Sequence, residues 1–259
     1  MTEELRLWRD LRGLTTARVA LGRVGSGLPT AAHLGFQADH AAARDAVWSA
    51  LDTPALIEGA RRLGLAGIGV GTEVADRRAY LLRPDLGRRL RAQDRAGLPP
   101  APGQIVFIAA DGLCACGVQA QALAVVAACQ VPLAAAGFAI GPLVVAEQAR
   151  VGLGDDIGAA MQAEATVLLI GERPGLSATD SLGAYLTWAP AVGRTDADRN
   201  CISNIRPGGL SAEAAATKIV WLLIAARRLR ATGVMLKDEQ PISSALSGGE
   251  HAMLAQKPE

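Results

Sequence analysis

From residue 104 to residue 170, short apolar runs alternate with Ala- and Gly-rich stretches, and this alternation limits the fold more than any other feature. The runs are residues 104–110 (QIVFIAA), a segment around residues 143–145, and residues 167–170 (VLLI). Strands this uniformly apolar have no solvent face, and intervening helices are what cover both faces of a parallel sheet. Residues 101–236 are therefore expected to form an α/β domain, a Rossmann-like parallel sheet flanked by helices. A helix opening at Gly154-Asp155-Asp156 carries carboxylates suited to its positive end, and a closing helix is expected over residues 211–231.

Residues 1–100 read as a mostly helical region with Gly-rich breaks. A turn at residues 25–30 leads into a helix from Ala31 to about Leu51, with His33, Phe36, Gln37, His40 and Arg44 on one stripe at 3/4 spacing. The stripe suits either an ordinary packing face or a contact surface for another subunit. Arg83-Pro84-Asp85 reads as a helix start with Pro at its first position. Residues 98–103 (LPPAPG) form the expected domain boundary, and residues 237–259 a flexible tail.

The charge balance, 26 basic against 25 acidic residues, gives no electrostatic ground for nucleic acid or an anionic membrane as partner. No uninterrupted apolar run approaches the roughly 20 residues of a membrane span, and the charged N-terminus does not read as a secretory signal. A soluble, cytoplasmic protein is expected. Four cysteines without a framework spacing fit a reducing compartment.

Residues 166–205 carry the chemistry-bearing side chains. After the apolar run the chain breaks at Gly171-Glu172-Arg173-Pro174-Gly175 and continues through Asp180, Ser181, Arg194, Asp196, Asp198, Arg199, Asn200 and Asn204. The segment reads as one long functional loop. In an open parallel sheet a ligand lies beyond the carboxyl ends of the strands. That rule predicts a crevice lined by Asp111, Val151, Glu172, Arg173 and Cys201, the last reached by the loop folding back. Glu172 is open to two readings: a ligand acceptor, or a loop carboxylate paired with Arg173 or Arg199.

Other chemistry is poorly supported. Gly67-Ile68-Gly69-Val70-Gly71 misses the third glycine of a dinucleotide fingerprint, and no Walker A lysine is present. Cys114-x-Cys116 lacks the spacing of common zinc sites, and Cys201 has no histidine base nearby in sequence among His33, His40 and His251. No nucleophile–base set emerges, so no catalytic or metal-binding residue is assigned.

The motifs LTTARVALGRVGSGLPT (14–30), FQADHAAARDAV (36–47), YLLRPDLGRRL (80–90), ADGL (110–113), IGERPGLSATDSLGAYLTWAP (170–190) and GRTDADRNCISNIRPGGL (193–210) resemble the small (light) subunit of ethanolamine ammonia-lyase. The resemblance implies a non-catalytic subunit that helps a large (heavy) subunit hold adenosylcobalamin, with ethanolamine bound in the partner. It implies cleavage to acetaldehyde and ammonia, begun by homolysis of the cobalt–carbon bond. By motif position the cobalamin contacts fall on Val151, Glu172 and Cys201. No Asp-x-His-x-x-Gly frame is present, so the cofactor's own dimethylbenzimidazole is expected to stay on cobalt. Some family members carry an N-terminal extension linked to bacterial microcompartments; this chain starts near the core motif, which leaves such packaging open. Two rival readings remain: a nucleotide-dependent oxidoreductase of the same fold class, and a purely structural partner without a ligand.

Overall fold

A computed structural model describes residues 3–15 and 17–240 of the chain; most of the expected tail, with His251, lies outside the described residues. Helices α1 (Glu3–Leu14), α2 (Thr30–Val47) and α3 (Thr53–Arg62) precede strand β1 (Gly67–Gly71). Short helices α4 (Arg77–Leu82) and α5 (Ala92–Gly97) follow, then β2 (Gln104–Ala110), α6 (Ala115–Ala135), β3 (Ala139–Glu147), α7 (Leu153–Met161), β4 (Ala165–Gly171), β5 (Leu182–Trp188), β6 (Asn200–Ile205) and α8 (Ala212–Leu229). All six strands join one sheet in the order β1-β3-β2-β4-β5-β6.

The first four strands in that order are parallel, while β5 runs antiparallel to β4, and β6 antiparallel to β5. The sheet is thus mixed, where an all-parallel one was expected. The difference comes from the segment read as a single loop. Leu182, Ala184, Leu186 and Trp188 alternate into one core cluster, while Gly183, Tyr185 and Thr187 take the opposite face. This period of two is what a strand requires, and it hides among polar neighbours.

GIGVG, dismissed as a nucleotide fingerprint, is strand β1. A Cβ at Gly67 would lie 2.9 Å from the Cα of Ile57, so glycine there lets α3 pack directly on the strand. The boundary expected at residues 98–103 accordingly lies between two strands of one sheet. Arg83-Pro84-Asp85 does not open an α-helix: Asp85 pairs with Arg83, and only a 3-10 turn follows at Leu86–Arg88.

Two apolar layers flank the sheet. On one face Val118, Ala122, Val125, Val126, Cys129 and Leu133 of α6 pack with α8 and the inward residues of β4 and β5. On the other face Leu153, Ile157 and Met161 of α7 pack on Val106, Ile108, Val144 and Leu168. Helix α6 is long and apolar enough by composition to cross a membrane, a run that the sequence reading overlooked because glutamines interrupt it. In this fold its apolarity is used against the sheet and α8.

The connections set the position of the site. From β2, α6 leads to β3 on one side, and from β3, α7 leads back over the other face to β4 on the far side of β2. The two crossovers leave the carboxyl ends of β2 and β3 over opposite faces, with the carboxyl end of β4 alongside β2, which is where such folds open a crevice.

Candidate functional site

A cleft of about 280 Å³ lies at that point, lined by the turn after β2 (Gly112, Leu113), the turn after β3 (Arg150, Val151) and the end of β4 (Gly171, Glu172, Arg173). The rings of Tyr80 and Tyr185 complete its wall. Two glycines make the junction possible. Gly112 has φ +55°, a left-handed conformation that costs glycine nothing. Gly171 lies so close to the backbone of Asp111 and Cys114 that any side chain would collide with it. Leu113 N–H donates to the carbonyl of Gly171 at 3.0 Å, locking turn to strand.

Asp111, at 2% exposure, lies below the cleft and organises it. Its Oδ2 accepts from the amide of Gln148 at 2.9 Å and from Arg77 at 3.1 Å, and its Oδ1 accepts from the amide of Ala149 at 2.9 Å. The carboxylate thus holds the loop that carries Val151, in which Gln148 adopts φ +55°. Burial pushes the Asp111 carboxyl up, opposed by the Ala149 amide, Arg77 and the Gln148 amide. Arg77 also donates to the carbonyls of Val47 and Gly112, tying the end of α2 to the same turn.

Glu172 is half-buried at the opposite wall. Its Oε2 accepts from the Ser181 hydroxyl and, at 3.2 Å, from the amide of Asn204. Gly183 leaves room beneath it, since a Cβ there would be 3.0 Å from Oε1. Among the described residues Glu172 forms no ion pair with Arg173 or Arg199; Arg199 is engaged instead by Asp155 and Asp196. Oε1 is therefore free to accept from a ligand.

Cys201 occupies a different place from the one expected. It is not on a loop folding back over the edge but on strand β6, opposite Tyr185 in register. Its thiol is exposed and lies 3.4 Å from Ser203 Oγ. Tyr185 connects it to the cleft: burial first, and then the Cys201 thiol and the Glu172 carboxylate, hold the phenol above its usual range. The structure thus brings Val151, Glu172 and Arg173 to one cleft, puts Cys201 behind the Tyr185 wall, and places Asp111 underneath as a support. Tyr185 and Tyr80 were missed by sequence reasoning; the alternation of LGAYLTW would have pointed to the first.

Tyr80 is fully buried and held between two cations, Arg77 at 4.4 Å and Arg150 at 4.1 Å from its ring, while its hydroxyl donates to the carbonyl of Ala149. The Cys114 and Cys116 sulfurs, 2.9 Å apart, both contact the carbonyl of Thr179, at 2.7 and 3.2 Å. These contacts bind the β2–α6 turn to the segment following Glu172. Among the described residues no cluster of three or more His, Cys, Asp or Glu is arranged to hold a metal ion.

The geometry defines a class: an α/β protein with a shallow ligand cleft at the divergence of its crossovers, built from one carboxylate, two guanidiniums, aromatic rings and apolar contacts. Comparison with known proteins narrows it. The family model described as ethanolamine ammonia-lyase light chain (EutC) matches residues 6–237. The chain is 51% identical over 245 residues to the ethanolamine ammonia-lyase small subunit of Rhodopseudomonas palustris (strain BisA53), covering 93% of this chain and 94% of that protein. It is 49% identical over 242 residues to the small subunit of Azotobacter vinelandii, covering 91% and 90%. It is 54% identical over 235 residues to that of Bradyrhizobium diazoefficiens, covering 89% and 90%. The chain belongs to the ethanolamine ammonia-lyase light-chain family. The oxidoreductase alternative finds no support: the family is a lyase component, and the glycines that suggested a nucleotide are a strand.

Proposed function

We propose that this chain is the small subunit of an adenosylcobalamin-dependent ethanolamine ammonia-lyase and holds the cofactor against a large subunit. The observation that carries the reading is the meeting of Val151, Glu172 and the Tyr185–Cys201 pair around one cleft. The residues fit a corrinoid. Such a ligand presents amide and hydroxyl donors for Glu172 Oε1, with apolar surface for Val151 and the Tyr185 ring. The cleft is at or below the lower end of the volumes that enclose a drug-sized molecule. A corrinoid would rest on it with one side, and a second chain must cover the remainder.

The cofactor supplies the radical chemistry when bound, and the large subunit holds ethanolamine. The small subunit's own residues bind and orient. Glu172, fixed by Ser181 and the Asn204 amide, accepts hydrogen bonds and moves no proton. Asp111 and Arg77 fix the Val151 loop, and Tyr185 closes the side toward β6. The N-terminal helices provide the contact with the large subunit. Leu7, Trp8, Leu11 and Leu14 of α1 and Leu34 and Phe36 of α2 are exposed apolar groups on these helices. The Phe36–His40 stack at 6.3 Å, with Arg18 above Phe36, keeps part of the stripe ordered.

The test is a titration of the two-subunit complex with cyanocobalamin, followed by visible absorption. Glu172→Gln is expected to weaken binding about tenfold, the equivalent of one charge-assisted hydrogen bond. Cys201→Phe, which adds bulk beside Tyr185, is expected to weaken it further. Unchanged affinity in both variants contradicts the reading and favours a purely structural subunit.

A further inference from the structure

Past Arg150 and Val151 the cleft continues into a second depression of about 400 Å³, lined by Arg88, Arg150, Gly152, Arg194, Thr195 and Arg199, with Asp196 as its one acidic side chain. Asp196 is committed to Arg199 at 2.8 Å. The other nearby carboxylates are committed too. Asp155 pairs with Arg199, Asp156 with Arg95, Asp85 with Arg83, and Glu73 lies 3.8 Å from Arg89. Arg194 has Asp198 at 3.6 Å. Arg88 and Arg150 are left without a carboxylate partner among the described residues.

Neither guanidinium is on a loose stem. Arg150 stacks on the Tyr80 ring and donates to the Tyr80 carbonyl at 3.0 Å, and its Nε is buried without an acceptor. The aliphatic part of Arg88 lies over Gly152, where a Cβ would come within 3.3 Å of its Cγ. Two partly fixed, uncompensated guanidiniums facing one depression suit a tetrahedral oxyanion, because their planar forks match its oxygens in pairs.

We propose that the Arg88–Arg150 depression is a phosphate site adjoining the contacts of Val151, Glu172 and Cys201, of which it shares only Val151. This rests on the corrinoid reading for one of its two possible sources. The phosphate is either the phosphodiester of a cobalamin lying in the adjoining cleft or free inorganic phosphate.

The experiment uses the two-subunit complex, with cyanocobalamin and with dicyanocobinamide, a corrinoid lacking the phosphodiester and nucleotide. Arg88 is exposed, so Arg88→Gln leaves the fold intact. If the diester is the occupant, Arg88→Gln weakens cyanocobalamin about tenfold and leaves dicyanocobinamide unchanged. Inorganic phosphate at fixed ionic strength then competes with cyanocobalamin in the unaltered complex and not in the variant. If free phosphate is the occupant, the cyanocobalamin-loaded complex binds phosphate in a titration followed by phosphorus NMR, and Arg88→Gln abolishes that binding. Equal weakening of both corrinoids, or no change in either corrinoid or phosphate binding, overturns the proposal. Glu172→Gln run alongside separates the two ideas. Loss of both corrinoids with Glu172→Gln but no effect of Arg88→Gln refutes the phosphate site alone. No effect of either Glu172→Gln or Cys201→Phe on either corrinoid refutes the corrinoid reading, and phosphate binding then decides on the depression by itself.

Discussion

Truncation of Asp111 removes the acceptor for three donors at once. Asp111→Ala leaves the amides of Gln148 and Ala149 and one nitrogen of Arg77 without it, all at a nearly inaccessible position. Each buried donor left unsatisfied costs about 1–3 kcal/mol, and breaking a buried ion pair by removing one partner costs about 3–5 kcal/mol. These contributions overlap, and Arg77 retains its bonds to the carbonyls of Val47 and Gly112, so the expected loss is about 3–4 kcal/mol. That is a large share of the roughly 5–15 kcal/mol by which domains are stable. Asp111→Asn keeps the volume and one acceptor oxygen and is expected to cost about half as much. Urea unfolding of the purified chain, followed by circular dichroism, measures both. Hydrogen exchange should show the amides of residues 148–152 losing protection before the rest of the sheet. A cost below about 1 kcal/mol for Asp111→Ala, or uniform loss of protection, refutes the claim that this carboxylate organises the loop.

Two further outcomes concern the thiols and the Thr195–Asp198 turn. Of the four thiols only Cys201 is exposed, whereas burial pushes Cys129 up to about 12 and burial with the Cys116 thiol does the same to Cys114. A thiol-specific disulfide reagent at pH 8 should therefore modify Cys201 first, and bound cyanocobalamin should slow that reaction in the complex; rapid labelling of Cys129 would contradict the packing of α6. Asp198 is held below the usual carboxylate range by the backbone N–H and then the hydroxyl of Thr195. A carboxyl depressed on folding stabilises the fold above its unfolded pKa of about 4 and loses that contribution as pH falls through the folded value. The melting-temperature gap between the unaltered chain and Asp198→Asn should be present at pH 7 and close as the pH falls below the ordinary carboxylate range; a constant gap would refute this.

Much of the scaffold could be read in the residues themselves. QIVFIAA and VLLI announced β2 and β4 because strands buried on both faces carry no polar alternation. Asp155 and Asp156 marked the start of α7, although what they do is long-range: Asp155 captures Arg199, and Asp156 captures Arg95 and the amide of Leu90. The carboxyl-end crevice followed from topology alone, and with it the placing of Val151 and Glu172. Less visible was β5, whose alternation is split by Gly183, Tyr185 and Thr187 and surrounded by loop-forming residues. Missing β5 displaced Cys201 from a strand to a loop and removed Tyr185 from consideration. The glycines of β1 were opaque for a different reason. Close packing against Ile57 and a phosphate-binding turn both demand the absence of a side chain, and only the neighbouring helix tells them apart. The charge surplus at Arg88 and Arg150 cannot be read from a chain of net charge +1, since it depends on which carboxylates are already paired.

The most direct measurement is an experimental structure of the two-subunit complex with cyanocobalamin bound. Corrinoid density is expected against Val151, Glu172 and the Tyr185–Cys201 wall, with the remainder covered by the large subunit. A cleft left empty, with the corrinoid enclosed entirely by the large subunit, would contradict it.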